Sequence, residues 1–388
     1  MNTGNESTLL AILWRLRHIY PGWRFCCICT NPEAVAARDG IDAVPISRRD
    51  ARLWDVDARL DRRLRTAFIA VGEELKDYIR AFRTLRKTAI LVVPGTGLLT
   101  NAYGLSAWGP YNLFKWTLMA KLRRCKVLFV SVGAGPIYGA PGRLLVKSSL
   151  LLADYRSYRD DTSLSYLRQI GFRAKNDRVY PDLAFSLPET LFQRANGAGP
   201  TRVVGLGLML YAGRYSVEDP VPETYSAYLE SLAEFVKWLL EHDYDIRLLL
   251  GDGDNVVIDE FKSVLRGRVG MYDESRVVDE PMTSVDEVLA QLAETDIVVA
   301  TRFHNVLLAL MLNKPVVAIS FHHKSTSLMD DMGLAEYCLD INRIDSDSLI
   351  DRFQEAVTHR GEIKQTVAQK VVESRSALDD QYDALFER

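Results

Sequence analysis

The chain has 388 residues and a mass of 43.8 kDa, which exceeds one ordinary hydrophobic core and predicts two or three domains. Hydrophobic residues make up 48% of the chain and charged residues 26%, and this composition excludes a disordered or fibrous protein. The formal net charge of −3 indicates no basic surface of the kind that wraps nucleic acid, so we predict no nucleic-acid partner.

Membrane and secretory segments are not indicated either. The longest apolar runs, such as 203–210 and 306–312, stop well short of the roughly 18 residues that a membrane span needs. Residues 1–6 carry no basic segment ahead of the apolar residues that follow, so we predict no secretory signal. The protein is expected to be cytoplasmic.

The cysteines predict neither disulfides nor a metal site. There are five of them, and an odd number in a large chain favours reduced thiols. Cys26 and Cys29 form a C-x-x-C pattern within an apolar run at 24–30. An offset of three along a strand points the two thiols to opposite faces, which suits neither a tetrahedral metal nor a redox pair.

In the first half of the chain, short apolar runs alternate with segments of helical period, which predicts a parallel sheet flanked by helices. The predicted strands are 24–30, 43–46, 89–93, 127–132 and 177–180. The predicted helices are 6–18, 76–86, 113–123, 143–152 and 163–170. The arginine-rich stretch 48–65 also contains four aspartates, which favours a solvated helix, although a membrane-surface role stays an alternative.

The second half repeats the alternation. Its predicted strands are 203–208, 245–250, 296–300 and 316–319. Its predicted helices are 224–241, 256–265, 285–294, 305–312 and 346–358, with a long polar helix at 362–388. The fold class is therefore α/β, with two doubly wound parallel-sheet domains facing across a cleft.

The domain boundaries follow from composition. We predict an N-terminal domain at 1–187, a proline- and glycine-rich linker at 188–200, a C-terminal domain at 201–360 and a closing helix at 361–388. The first helix has no strand before it, although a doubly wound domain normally opens with one. Either the first strand is absent from this domain, or the true start lies upstream of the first residue.

Ligands of open parallel sheets bind beyond the carboxyl ends of the strands, so residues just after each apolar run are candidates. Paired glycines occur there at Gly95 and Gly97, and again at Gly133 and Gly135. Glycines in such loops let backbone N–H groups approach an anion, although tight turns alone also explain them. Neither pair completes a dinucleotide-binding or P-loop motif.

The sharpest cluster is the segment 301–304, which follows an apolar strand and opens a helix. Thr301 is predicted to be the N-cap, which places Arg302 and His304 in the first turn. There, the helix dipole and uncapped N–H groups attract an anion. His304 is therefore a candidate general acid and base, and Arg302 a candidate anion contact, against the alternative of two structural side chains.

Further candidates lie at neighbouring positions. Lys324 follows the strand at 316–319 and adds a second cation to the same edge. Arg159 and Asp160 precede a helix, and Asp182 lies in a similar loop; each is either a substrate contact or a local cap or turn residue. The histidines lack the spacing of a metal site, so we assign no metal.

Taken in order, these segments resemble the polysaccharide pyruvyl transferase family over most of the chain. The segment 3–6, with Gly4 and Asn5, is similar to the glycine-rich N-terminal opening of the family. The remaining matching segments are a G-x-G-L loop at 95–99, a V-G-x-G-P loop at 132–136, an S-x-R-D-x-x-S element at 157–163, a P-D-x-x-F element at 181–185, R-x-H at 302–304, and Lys324. Asn101 departs from the family, because many members carry an acidic residue there.

The resemblance implies a two-lobed fold similar to GT-B glycosyltransferases. It implies phosphoenolpyruvate as the co-substrate, with no cofactor, and as acceptor a sugar of a cell-surface polysaccharide or of its lipid-linked precursor. His304 and Arg302 would be catalytic. The implied substrate-binding residues are Gly4, Asn5, Gly95, Gly97, Gly133, Gly135, Arg159, Asp160, Asp182 and Lys324.

Two other functions remain compatible with the sequence. A GT-B-type glycosyltransferase would bind the diphosphate of a nucleotide sugar with the same cations, and a non-catalytic protein could retain only the anion site. The pyruvyl transferase interpretation predicts an anion-binding pocket between the two lobes, built around Arg302 and His304. It leaves open a peripheral contact with the inner face of the membrane, where lipid-linked acceptors are assembled.

Overall fold

The computed structural model describes residues 3–47, 60–100, 108–173, 176–192, 202–211, 222–249, 255–270 and 272–386. The chain forms two compact units. We call Arg15–Asp182 the N-terminal unit, and Met1–Trp14 together with Leu183–Arg388 the C-terminal unit. The predicted first domain, 1–187, differs from the N-terminal unit at both ends. The segments before Arg15 and after Asp182 both belong to the C-terminal unit.

The N-terminal unit contains a two-stranded parallel sheet, β1-β2, and a four-stranded parallel sheet in the order β3-β4-β5-β6. The strands are β1 (Cys26–Cys29), β2 (Asp42–Pro45), β3 (Ile90–Pro94), β4 (Lys126–Val132), β5 (Tyr155–Tyr158) and β6 (Arg178–Val179). The helices are α1 (Thr3–Ile19), α2 (Pro32–Asp39), α3 (Leu60–Thr84), α4 (Trp108–Leu122), α5 (Ala140–Leu152) and α6 (Asp161–Gln169). Only residues 15–19 of α1 belong to this unit; residues 3–14, the larger part of the helix, belong to the C-terminal unit.

The core of the N-terminal unit is built around β4. All of its residues after Lys126 are buried, since a central parallel strand is covered by helices on both faces. Val127, Phe129 and Val132 join one hydrophobic cluster with side chains of α3, α4 and α5. This continuous apolar run is the signal that predicts the strand from sequence.

The C-terminal unit contains a six-stranded, all-parallel sheet in the order β12-β11-β10-β7-β8-β9. The strands are β7 (Val203–Gly207), β8 (Asp245–Leu249), β9 (Val277–Val278), β10 (Ile297–Ala300), β11 (Val316–Ser320) and β12 (Cys338–Asp340). The helices are α7 (Glu223–Glu241), α8 (Asn255–Val269), α9 (Val285–Ala293), α10 (Phe303–Met311), α11 (His323–Asp331), α12 (Ser346–Thr358) and α13 (Arg360–Phe386).

The α/β class with parallel sheets is confirmed. The structure adds elements that the sequence did not predict: the strands β5, β9 and β12 and the helices α2 and α11. The arginine-rich residues 48–59 and the linker residues 193–200 lie outside the described residues. Within the parts of the chain that the structure describes, every helix is too short or too polar to cross a membrane.

The five cysteines are free thiols. Burial raises the pKa of Cys27 to about 12, with the neighbouring thiols of Cys29 and Cys26 adding to the effect. Burial also raises the pKa of Cys26. Thiols with raised pKa values carry little thiolate near neutral pH and are poor nucleophiles and metal ligands.

Candidate active site

The candidate site in the C-terminal unit lies at the carboxyl edge of the sheet, where β10 and β11 end. These strands pair in parallel, with Val298 opposite Val316, so both end at the same edge. Each leads into a helix within a few residues: β10 into α10 and β11 into α11. The N-termini of the two helices, with their partial positive charge, therefore lie side by side.

The N-cap of α10 is Arg302, and its side chain makes no capping hydrogen bond. The prediction of Thr301 as N-cap is wrong. Thr301 is fully buried, and its hydroxyl shares a 2.8 Å hydrogen bond with the hydroxyl of Tyr228. Because that hydroxyl is engaged inside the core, the first turn of α10 opens with Arg302, and His304 is its second helical residue.

The ring of His304 packs against Gly4 of α1. A Cβ atom at position 4 would lie 2.1 Å from Cε1 of His304 and 2.5 Å from Nδ1. Real Cβ atoms essentially never approach a neighbour so closely, so only glycine at position 4 is compatible with this ring position. Gly4 lies in the first turn of a helix rather than in a loop, and its role in substrate binding stays a prediction.

A buried carboxylate fixes the first turns of α1 in the C-terminal unit. Oε1 of Glu6 accepts a 3.1 Å hydrogen bond from the backbone N–H of Val285, the first residue of α9. Glu6 is 4% exposed, and Ser7 and Thr8 are buried beside it. A carboxylate at a helix N-terminus is favoured by the helix dipole, so Glu6 holds the helix that carries Gly4. Sequence reasoning missed this role, because the partner lies 279 residues away.

The start of α11 provides the second cation. Its N-cap is His322, whose Nδ1 accepts a 3.3 Å hydrogen bond from the backbone N–H of Lys324. The rings of His322 and His323 lie 4.0 Å apart between centroids. Lys324 is thus the second residue of α11, the position that His304 holds in α10.

The structure thus brings four sequence-predicted residues to one edge of the sheet: Arg302, His304, Lys324 and Gly4. The three charged or titratable side chains are partly exposed, so a ligand can reach them. Asn5 follows Gly4 on α1 and is exposed. Two helix N-termini combined with guanidinium, ammonium and imidazole groups are the kind of arrangement that attracts an anion, and anion binding at this edge stays a prediction.

A second cluster of predicted residues lies in the N-terminal unit, around Arg159. Its Nη1 donates to Oδ2 of Asp182 at 3.2 Å, and its Nε lies 3.5 Å from Oδ2 of Asp160. Asp160 also caps α6 by accepting a 2.6 Å hydrogen bond from the N–H of Ser163. Arg159, Asp160 and Asp182 are all buried, so the two carboxylates hold the guanidinium in place.

The glycine loops of this unit are bonded to each other. The N–H of Gly133 donates to the carbonyl of Thr96 at 3.2 Å, and the N–H of Gly135 donates to that of Leu99 at 3.1 Å. We expected these N–H groups to face an anion, but they are used inside the protein. Gly95 is buried and Gly97 half-buried in the same loop pair. A role of the glycine loops in substrate binding stays a prediction.

Gly133 has a steric reason to be glycine. A Cβ at this position would lie 2.7 Å from Nε of Arg159 and 2.8 Å from its Cζ. The glycine of the V-G-x-G-P loop therefore makes room for the arginine of the S-x-R-D element. Across the described residues, no three His, Cys, Asp or Glu side chains are placed to hold a metal ion.

The family model for polysaccharide pyruvyl transferase matches residues 34–323. The chain belongs to this family. The match includes the Arg159 cluster and the R-x-H segment; Lys324 lies one residue beyond its end, and Gly4 lies 30 residues before its start.

A curated relative supports the same family. The chain is 30% identical over 107 residues to the amylovoran biosynthesis protein AmsJ of Erwinia amylovora. The match covers 28% of this chain and 26% of the relative, so the chain spans about a quarter of the length of that protein.

Solved structures show the fold. A protein of Listeria monocytogenes assigned as a UDP-N-acetylglucosamine 2-epimerase superposes with a TM-score of 0.63, at 12% identity over 100% of this chain and 96% of that one. A glycosyltransferase of Rickettsia africae superposes with a TM-score of 0.58, at 11% identity over 98% and 95% of the two chains. The GT-B type of fold is confirmed. Sequence identities this low show that the fold is shared and give no evidence that the activity is shared.

Proposed function

We propose that the protein transfers the pyruvyl group of phosphoenolpyruvate to two hydroxyl groups of a saccharide, forming a ketal and releasing inorganic phosphate. Membership of the family makes the protein a transferase; the saccharide acceptor, the donor and the ketal are part of the proposal. The observation that carries it is the edge of the C-terminal sheet where Arg302, His304 and Lys324 meet at two helix N-termini.

The charge of this edge suits the donor. Phosphoenolpyruvate carries a carboxylate and a phosphate, with a combined charge of about −3 near neutral pH, so its site needs several positive or N–H groups. Arg302 provides a planar donor for the carboxylate or the phosphate, and Lys324 provides a point charge. The uncapped start of α10 adds the helix dipole.

The reaction requires two proton transfers. The terminal carbon of the enol gains a proton, which leaves a cationic centre at the carbon bearing the phosphate. A sugar hydroxyl attacks that centre and loses its proton; phosphate then departs, and the second hydroxyl closes the ketal. Each of the two sugar hydroxyl groups loses one proton. One of these protons returns to the group that protonated the enol carbon, and the other leaves with phosphate. His304 is the group that gives and takes these protons.

The acceptor in our proposal is a saccharide of an exopolysaccharide or of its lipid-linked precursor. The support is the family, together with the name of its relative AmsJ, an amylovoran biosynthesis protein. The Arg159 cluster is proposed to hold the loops of the N-terminal unit in the shape that binds substrate, since its carboxylates are engaged with the guanidinium.

The test is incubation of the protein with phosphoenolpyruvate and a panel of bacterial oligosaccharides, free and lipid-linked. The released phosphate is measured, and the saccharides are analysed by mass spectrometry. We expect phosphate and a saccharide that has gained a pyruvyl ketal. His304→Ala should lower turnover by about 10²- to 10⁴-fold, with donor binding changed far less. The matched control is His359→Ala, because His359 is an exposed histidine of the same unit at the end of α12.

The same panel separates the rival functions. Transfer of sugar from a nucleotide sugar, with phosphoenolpyruvate ignored, would replace our proposal by a glycosyltransferase. Binding of phosphoenolpyruvate without product on any acceptor would favour a non-catalytic anion-binding protein. Full turnover in the His304→Ala enzyme would be compatible with the proposed transferase activity but would refute the role of His304 in proton transfer.

A further inference from the structure

The N-terminal unit has an open groove that the proposed reaction does not use. Its volume is about 700 Å³, and it runs along α3 next to the end of α4. Its described lining residues are Leu75, Tyr78, Ile79, Phe82, Arg83, Arg86, Met119 and Arg123. The lining is thus mainly apolar and carries three arginines.

Large aliphatic side chains at this groove are exposed to solvent. Leu75 is 62% exposed and Ile79 is 42% exposed on α3, and Leu122 at the end of α4 is 60% exposed. On the inner side, Tyr78 and Phe82 pack against the core of the unit. The outer face of α3 at residues 75–79 is therefore apolar and rests on packed side chains. Such an exposed apolar patch marks an interaction surface more often than chance exposure does.

The acidic side chains that the structure describes on α3 are paired with nearby cations; among them, Oε1 of Glu74 lies 3.5 Å from Nζ of Lys115. Asp77 is paired with Arg80 at 2.7 Å and with the buried Lys115 at 2.6 Å. Glu73 is paired with Lys76 at 2.6 Å. These carboxylates therefore add little negative charge to the groove.

Four basic side chains at or just after the ends of α3 and α4 have no partner carboxylate among the described residues, whereas Lys121 in the last turn of α4 is paired with Asp154 at 2.8 Å. Arg83, Arg86, Lys87 and Arg124 are exposed, and none has an ion-pair partner among the residues that the structure describes. This leaves a surplus of positive charge around the apolar patch.

Backbone and side-chain contacts place the two basic segments next to each other. The guanidinium of Arg123 lies 3.5 Å from the ring centroid of Phe82, and its Nε donates to the carbonyl of Phe82 at 2.7 Å. The thiol of Cys125 donates to the carbonyl of Thr88 at 2.9 Å. Segments 83–87 and 123–124 thus form one basic border to the groove.

We propose that this groove docks the protein on a bilayer rich in anionic phospholipid. Exposed aliphatic side chains enter the interface between headgroups and acyl chains, and the surrounding cations bind the anionic headgroups. A groove for nucleic acid would present exposed aromatic rings for stacking. Here the two rings of the lining, Tyr78 and Phe82, are half-buried against the core, and the exposed apolar side chains are Leu75, Ile79 and Leu122. The inference does not depend on the reaction proposed above.

The experiment is co-sedimentation of the full chain with vesicles of equal parts phosphatidylglycerol and phosphatidylcholine, and with vesicles of phosphatidylcholine alone. We expect binding to the mixed vesicles, much weaker binding to neutral ones, and loss of most binding in about 1 M salt, where charges are screened within about 3 Å. Each basic residue near an anionic surface contributes about a factor of five in affinity, so Arg83→Gln/Arg86→Gln should bind roughly 30-fold more weakly.

Two further variants separate charge from apolar insertion and from general loss of charge. Leu75→Ser/Ile79→Ser should weaken binding in low and high salt alike. The matched control Arg266→Gln/Arg268→Gln removes two exposed arginines at the end of α8 and should bind as the unmodified protein does. Thermal unfolding of every variant checks that the fold is kept.

The proposal is overturned if the protein does not sediment with the anionic vesicles. It is equally overturned if neutral vesicles bind as strongly, or if the Arg83→Gln/Arg86→Gln protein, folded as before, retains its affinity. Capture of an acidic protein by the groove, together with no affinity for vesicles, would assign the surface to a different partner.

Discussion

Replacement of Gly4 by alanine tests the site more directly than removal of a functional group, because it displaces His304 without changing its chemistry. The new Cβ would lie 2.1 Å from Cε1 of the ring. Restoring ordinary contact requires the ring or the helix to move by about 1.3 Å. Misplacement of a catalytic group by about 1 Å costs about 100-fold in rate, so we expect turnover to fall by at least that factor.

The stability effect is expected to be much smaller than the effect on rate. Alanine is favoured over glycine in a helix by about 0.5–1 kcal/mol, whereas overpacking costs about 1–3 kcal/mol. The two contributions partly cancel, so the free energy of unfolding should fall by no more than about 2.5 kcal/mol. A folded protein with little activity is therefore the expected result.

The measurements are phosphate release from phosphoenolpyruvate in the presence of an acceptor, donor binding by calorimetry, and chemical unfolding. The control is Gly267→Ala in α8 of the same unit, where a Cβ would meet no atom within 4 Å. It should keep full activity and gain about 0.5–1 kcal/mol of stability. Turnover of Gly4→Ala within twofold of the unmodified enzyme would show that the position of the His304 ring does not matter to the reaction.

Three other changes test separate features. Arg302→Gln should weaken phosphoenolpyruvate binding by about 10- to 100-fold, since a hydrogen bond to a charged group contributes about 1.5–3 kcal/mol; calorimetry showing unchanged binding would contradict the anion site. Gly133→Ala should lower the free energy of unfolding by about 1–3 kcal/mol through overpacking, whereas Gly135→Ala, whose Cβ would meet its nearest atoms at 3.4 Å, should cost less; equal losses in urea unfolding would refute the steric argument. Lys115→Met should destabilise the protein by about 3 kcal/mol, because it leaves the buried Asp77 with one partner fewer. Burial raises the pKa of Asp77, but the ion pairs outweigh burial and hold the pKa below its ordinary value. The ion pair therefore stabilises the fold above about pH 4, and this stabilisation is lost as the pH falls further. If the difference in unfolding free energy between the two proteins does not shrink on acidification, the ion pair is contradicted.

Much of the fold was predictable, because the central strands are continuous apolar runs. Residues 127–132 and 296–300 carry the signal of strands buried on both faces, and β4 and β10 occupy those positions. The strand β5 was missed because its sequence, Tyr-Arg-Ser-Tyr, is polar. Its Arg156 is held by Asp177 at 2.9 Å, a contact that no local pattern shows.

The sequence allowed us to predict which residues lie at the candidate site, but not the structural role of each residue there. Apolar strands followed by Arg302 and by Lys324 indicated the edge where the cations meet. The cap of α10 was assigned wrongly, because the bond between Thr301 and Tyr228 joins residues 73 positions apart. The purpose of Gly4 was equally hidden, since its partner His304 comes from the other end of the chain.

The C-terminal unit is built from both ends of the polypeptide, and this affects how the protein is made. Residues 3–8 are synthesised long before the N–H of Val285 that Glu6 binds and the ring of His304 that packs against Gly4. Since domains form as units during synthesis, Arg15–Asp182 can fold while the opening segment still waits for its partners. The contact between His304 and Gly4 can therefore form only after the N-terminal unit has been synthesised, so the C-terminal unit completes its fold after the N-terminal unit.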